Sequence, residues 1–576
     1  MTDTKIMTFI SYKNLFSHIE RSGILVPIGS LKNDADLESL IDNIIKNFDN
    51  HEAVSYSSFL NAIVQTHDAE ETEKMGLGEI KKAQLVKNPP DSGIIFHRDN
   101  LLFIIAKLFS KERGDQKITG QKTFKNAQDY YKALLLTSQL IHDSCLEKDH
   151  FIRAYPYYYI PQTAANIYEI RLQRYWYIYS NLLAKIEVSK KTHLQKGIQE
   201  IETKANLSLK DYFNVVTMIF YWFLKIPNFK KASNDESFKQ LGFEPKNLGT
   251  FYIRKNNFGE DHDLLKLISY LALDLDGFKM KLANNHGRKY QIQGFYKDFQ
   301  TIFDHPIFKI NDEDFCIIDL KFLFEGLCSG FMWHIKSFSG SNMQSIKEQY
   351  GYLLELYFVE LLKKIFGETH VHKPIEDGSP DIVLETEKYV IILEFTTEYY
   401  LFASLYAEQT DSLKDDLHRL LFNQGKQDPK ARDKDETGKF FKLNGYLEKY
   451  KDSKKTILPI LVTENYLGDF DLLNRFDGLM AAGIETNQLE HLKKHKPTIL
   501  NLDDFEFFWQ IADSANPIDQ FGDSIKKWEE STAYKGKDHF LFLSFLSGNN
   551  KAVKVNSEFS KFFNFKSFME GLSPES

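Results

Sequence analysis

The sequence predicts an α/β protein, with a mainly α-helical N-terminal half followed by a C-terminal half built on a mixed sheet flanked by helices. Three observations point to this. Segments 38–48, 100–111, 128–145, 164–187, 209–225 and 263–274 repeat their apolar residues at helical spacing. Beyond them, β-branched and aromatic runs bounded by polar residues read as strands at Asp381–Leu384, Tyr389–Thr396, Thr456–Thr463 and Pro497–Leu502. Helical segments at Leu401–Leu421 and around Leu472–Ala482 separate the later strands, and strand–helix–strand order gives the sheet a parallel component. A chain of 576 residues is too long for one core, and 43% hydrophobic with 26% charged residues is an ordinary globular composition.

Four regions are expected. Residues 1–300 form the helical half. Residues 301–340 form a connector, with a hairpin from His305–Ile310 to Phe315–Asp319 and a helix from Phe322 to Ile335. The glycine- and serine-rich Ser337–Asn342 marks the boundary to a domain spanning 341–510, and 511–576 is an aromatic-rich extension expected to pack on another domain or subunit.

The chemistry gathers in the 341–510 region. Asp381 opens one apolar run in Gly378-Ser-Pro-Asp-Ile-Val-Leu384, and Glu394 sits deep in the next, with twelve residues between them. The polar Glu385–Lys388 reads as the turn of a hairpin, which sets the two carboxylates on neighbouring strands. Uncompensated carboxylates are costly in a buried strand, and a shared divalent metal supplies the compensation, because hard cations prefer carboxylate oxygens. Strand alternation puts Glu394 and Thr396 on one face and turns Phe395 away, while the Phe395 main-chain carbonyl offers a third ligand. Upstream, Tyr350–Phe366 is an amphipathic helix ended by Gly367, and Glu355 falls on its line Glu355, Val359, Leu362, Phe366.

At these residues the chain resembles the PD-(D/E)XK nuclease superfamily, the restriction-endonuclease-like fold. The matching pieces are a helix acid in Gly351-Tyr-Leu-Leu-Glu355, then Pro380-Asp381, then Glu394-Phe395-Thr396, where Thr396 stands in place of the expected lysine. The Glu-x-Thr form is similar to that of AlwI-like type IIS restriction enzymes. The resemblance covers about residues 341–510 and implies a Mg2+- or Mn2+-dependent endonuclease acting on duplex DNA, in restriction or antiphage defence.

It also implies that something replaces the lysine, which orients the attacking water and offsets transition-state charge. The Leu401–Leu421 helix offers Gln409, facing inward with Leu405, Leu413 and Leu420, and Lys414 on the border of the same stripe. His418 is a third choice, nine residues from Gln409 and so on the opposite side of the helix.

The whole-chain balance sets outer bounds. A net charge of -8 argues against a coat of nonspecific nucleic acid, though a local patch and a metal can still meet phosphates. The segment Lys426–Lys455 carries ten Lys or Arg against six Asp or Glu and is a candidate patch, while the run Gln424–Gly438 reads as a solvated loop after the helix. Arg153–Pro161 and Arg171–Tyr179 interleave arginines with aromatics, a pattern that suits base stacking and also suits core aromatics with snorkelling arginines. Lys107–Lys125 is a further DNA-contact candidate. Cys145, Cys316 and Cys328 lack metal-ligand spacing, which excludes a zinc ribbon and points to a reducing cytoplasm. There is no signal-peptide layout, and the longest apolar stretch, Asn214–Leu224, is too short for a bilayer. The N-terminal half is read as a targeting or regulatory region, open to homodimerisation or a partner protein. Two rival readings stand beside the endonuclease: an inactive nuclease-fold scaffold binding nucleic acid or protein, and a nonspecific or RNA-directed effector nuclease.

Overall fold

The structure is a computed structural model. It describes residues 18–21, 24–27, 34–66, 69–82, 98–110, 127–146, 163–224, 253–285, 300–326, 343–376, 378–397, 439–464, 489–512 and 515–530, with a few single positions between them. The chain divides into two compact units, one of residues 1–165 and 201–327, the other of 166–200 and 328–576. This partition differs from a simple split into an N-terminal and a C-terminal half.

The first unit is mainly helical, with helices at Asp34–Ile45, Asn50–Thr66, Ala69–Lys82, Arg98–Ser110, Ala127–Leu146, Leu209–Leu224, Asp263–Leu271 and Leu275–Asn285. It also holds a four-stranded sheet that the helical periodicity does not announce. Ile307–Lys309 and Asp314–Ile317 pair antiparallel at its centre, flanked by Ile253–Arg254 and Ala272–Leu273. The expected helix over 263–274 therefore stops at Leu271, where Ala272 turns extended and pairs with Ile307. The residues read as a connector belong to this unit as far as Leu327. Asp319 explains why: it caps the helix Leu320–Glu325 and accepts hydrogen bonds from Arg98 (2.7 and 3.1 Å), Asn61 (2.9 Å) and Gln65 (2.8 Å). A buried carboxylate with that many donors ties the hairpin to the N-terminal helices.

Helices of the second unit include α1 (Thr163–Tyr177), α2 (Met343–Phe366), α3 (Lys439–Leu447), α4 (Glu490–Lys494), α5 (Leu502–Ile511) and α6 (Pro517–Glu530). Its strands are β1 (Ile382–Glu385), β2 (Tyr389–Thr396), β3 (Thr456–Thr463) and β4 (Thr498–Asn501). They lie in the order β4-β3-β2-β1, with β1 and β2 an antiparallel hairpin and β2, β3 and β4 parallel. The mixed sheet and its parallel component are thus as the sequence predicts.

Every residue of β2 is buried, because helices cover both faces of the sheet. On one face Phe395 stacks on Phe358 of α2 with ring centroids 4.9 Å apart, and Phe358 meets Phe505 of α5 edge-on. On the other, Val390, Ile392, Ile457 and Leu461 pack with Phe440, Leu443 and Leu447 of α3 and Leu492 of α4. The alternation of β2 therefore sends Phe395 towards α2, while Glu394 and Thr396 follow Val390 and Ile392 towards α3.

The segment expected as a separate extension supplies part of this cover. Helix α6 is fastened to the β1–β2 turn by Thr386–Asp519 (2.6 Å), Lys388–Asp523 (2.5 Å) and Tyr389–Asp523 (2.6 Å). Gly522 lets it come close, since a Cβ there would lie 2.8 Å from the Tyr389 ring. That ring is pinned through its hydroxyl, so it cannot swing aside cheaply. Gly522→Ala should destabilise the unit by about 1–3 kcal/mol despite alanine's better helix propensity. Chemical denaturation checks this, and a midpoint at or above wild type would overturn the packing argument.

Candidate functional site

Asp381 and Glu394 meet because the hairpin register sets Ile382 against Leu393, which leaves Asp381 beside Glu394 at the end of the pair. The chain reaches Asp381 through a turn at Gly378, whose φ of 76° is a conformation that side chains disfavour. Two hydrogen bonds lock the acids together: the Asp381 N–H donates to Glu394 Oε2 (3.2 Å), and the Phe395 N–H donates to Asp381 Oδ2 (2.7 Å).

A lysine that sequence reasoning did not single out stands over both. Lys439, the first residue of α3, puts its Nζ 2.5 Å from Glu394 Oε1 and 3.8 Å from Asp381 Oδ2. Lys442, one turn on, comes within 3.7 Å of the same Glu394 oxygen. The glutamate is completely shielded from solvent, whereas the two lysine side chains keep 26% and 32% of their exposure.

Electrostatics follow from this placement. Burial pushes the Glu394 carboxyl above the ordinary glutamate value, against the downward pull of Lys439, and the neighbouring charge of Asp381 adds to the rise. Burial acts on Lys439 in the opposite sense, towards the neutral amine. The carboxylates of Glu394 and Asp381 outweigh it and hold the ammonium above its ordinary value.

Glu355 lies at the margin of the α2 interface and is not on its buried stripe, which runs through Tyr350, Leu354, Tyr357, Leu361 and Ile365. It is half-exposed and bonded to Lys373 at 2.6 Å. The bond to Glu355 raises the Lys373 ammonium, and the field of Asp381 contributes. Glu355 also contributes to the charge felt by Lys439. Three carboxylates and three lysines thus share one electrostatic neighbourhood.

Thr396 is buried at the end of β2, opposite Thr463 of β3. Gln409, Lys414 and His418 lie outside the described residues, as do Arg153–Pro161, residues 111–125 and the Leu401–Leu421 and Leu472–Ala482 helices. Lys439 was legible in principle: Phe440, Leu443 and Leu447 have helical spacing, and Lys439 and Lys442 border that stripe. The charge-rich run Gln424–Gly438 ends immediately before this helix and masks its start.

The donor set tests the expected metal. Asp381, Glu394 and the Phe395 carbonyl are all hard oxygen donors, and Mg2+ binds through one or two carboxylates, keeping further positions for water and phosphate. The residues fit such an ion. Among the described residues no cluster of three or more His, Cys, Asp or Glu is arranged to hold a metal. Also among them, no helix is long and apolar enough to cross a membrane.

Arg171 and Arg174 prove to be buried structural residues. On α1, Arg171 holds Asp503 at 2.6 Å, and Arg174 binds both Asp503 and Glu506 of α5, the latter at 2.5 and 2.7 Å. Neither arginine snorkels to water: Arg174 is fully buried. These bonds also account for the membership of 166–200 in the second unit.

Comparison with known proteins gives no match, whether to a family model, a curated protein or a solved structure.

Removing Arg174 leaves two buried acids short of a partner, so Arg174→Ala should cost about 3–5 kcal/mol. Nucleic-acid binding by the folded fraction should keep its dependence on salt. A stable Arg174→Ala protein whose salt slope falls by about one unit would return this residue to the phosphate-contact role.

Proposed function

We propose that the second unit is a metal-dependent endonuclease of restriction-endonuclease-like arrangement, hydrolysing phosphodiester bonds in duplex DNA. The observation that carries the reading is Glu394, buried within β2, hydrogen-bonded to the Asp381 N–H and ion-paired to Lys439. It is the acid–acid–lysine set that the resemblance implies, with the lysine delivered from α3 in place of position 396.

Asp381 and Glu394, with the Phe395 carbonyl, would hold Mg2+ or Mn2+. Bound there, the ion polarises the phosphate and lowers the pKa of an attacking water. Lys439 supplies what Thr396 lacks, a positive charge next to the acids that offsets charge developing on the phosphate. Glu355 and Lys373 form the rim, where a half-exposed pair is open to the substrate. Thr396 fills the strand position without adding charge. A role in restriction or antiphage defence rests on the resemblance alone.

Purified protein incubated with plasmid DNA, with and without Mg2+ or Mn2+, tests the reading. Cleavage should require the ion and vanish in Asp381→Ala. Lys439→Ala should lose on the order of a hundredfold or more, the effect of removing one preorganised electrostatic group, while Thr396→Ala loses little. Metal-independent cleavage, or wild-type rates in Asp381→Ala, would refute the site. A folded protein that binds DNA and never cuts it would favour a scaffold.

A further inference from the structure

Charge bookkeeping at the site leads beyond the assignment of Lys439 as the missing lysine. Glu355, Asp381 and Glu394 are met by Lys373, Lys439 and Lys442, so three negative groups face three positive ones. Lys439 is the central one of these, within ion-pair distance of both acids at once. A cation shared by Asp381 and Glu394 needs those same oxygens, and an ammonium beside it would repel it strongly in a shielded site. Lysine is suited to giving way, since its ammonium is a point charge on a flexible four-carbon stem and Lys439 keeps access to solvent.

We infer that Lys439 competes with the divalent ion for the Asp381–Glu394 pair, and that a substrate phosphate relieves the competition by offering the ammonium another partner. Metal and nucleic acid then bind with positive coupling, and by linkage each tightens the other by the same factor. The free protein is a weak metal binder. Its carboxylates are neutralised internally until an anionic strand arrives, so Lys439 sets the order of loading as well as assisting the reaction. This rests on the metal-site reading above.

The test is calorimetric titration of the full-length protein with Mn2+ at mildly alkaline pH, with and without a cleavage-resistant phosphorothioate duplex. Without DNA, Lys439→Met should bind Mn2+ at least about tenfold tighter than wild type, equivalent to about 1.4 kcal/mol. DNA should tighten the wild type and have little effect on the variant. Lys439→Gln keeps a hydrogen-bond donor to Glu394 without the charge, and should behave alike if Lys439→Met folds poorly. Glu394→Gln separates the two ideas. If it loses Mn2+ while both lysine variants bind no tighter than wild type, the metal site stands and the competition is overturned. Equal tightening by DNA in wild type and lysine variants also overturns it. If Glu394→Gln binds Mn2+ as wild type does, or no protein binds it, the metal-site reading falls as well.

Discussion

Glu394 lies two residues before the end of a strand whose every side chain is buried, and its carboxylate is shielded from water. Its stabilisation has to come from the chain, and two segments supply it, the start of β1 and the first turn of α3. The Asp381 N–H binds one oxygen, Lys439 binds the other, and Lys442 adds its charge from one turn away. Much of the second unit is arranged so that this can happen. The β1–β2 register brings Asp381 alongside, and α6, fastened to the hairpin turn, helps cover the sheet face away from Glu394. Packing of Phe440, Leu443 and Leu447 against β2 and β3 delivers the first turn of α3 over the acid. The apolar core and the charged site are thus one construction, since the core fixes the direction from which Lys439 arrives.

A second set of buried charges holds the opposite side of the unit. Arg171 and Arg174 of α1 bind Asp503 and Glu506 of α5, and Tyr357 of α2 also donates to Glu506. Next to them Tyr175 and Tyr350 both donate to Glu464, which follows β3 directly. Burial raises the Glu464 carboxyl, and the two phenols work against that rise. Asn501 and Asp504 form a reciprocal cap at the start of α5, fixing the turn that carries Asp503. Partners separated by more than three hundred residues are brought together by these bonds, and no local pattern announces such pairings.

That difference in range explains what was legible in the sequence. The hairpin, the acids and the faces of β2 follow from period-two alternation and turn chemistry within a window of about twenty residues. The helices near 100–110, 127–146 and 209–224 follow from apolar residues at helical spacing, in windows of similar length. Less legible was everything set by distant partners. The strand Ala272–Leu273 is helical in apolar spacing and becomes extended because Ile307–Phe308 offers a parallel edge. Arg171 and Arg174 suit either nucleic-acid contact or a place against the core from local sequence, and only Asp503 and Glu506 decide for the second. Glu355 reads as an inward acid on one helical line, yet the true stripe is rotated and leaves it at the margin with Lys373. Lys439 lay inside a charge-rich segment whose first half masks the helix in its second.

The two buried ionic sets use different cations, and the choice fits different work. A guanidinium is planar, permanently charged and presents a fixed fork, so Arg171 and Arg174 hold Asp503 and Glu506 in several fixed bonds at once. Such a pairing is costly to break and suits a joint between helices. Asp381 and Glu394 are met by lysines, which carry a compact charge on a flexible stem and keep part of their exposure. Within one unit, then, the acids between α1 and α5 are locked by arginine, and Asp381 and Glu394 are covered by lysine. The same physical need, neutralising a carboxylate away from water, is met by a rigid fork at the joint between helices and by flexible point charges at the hairpin.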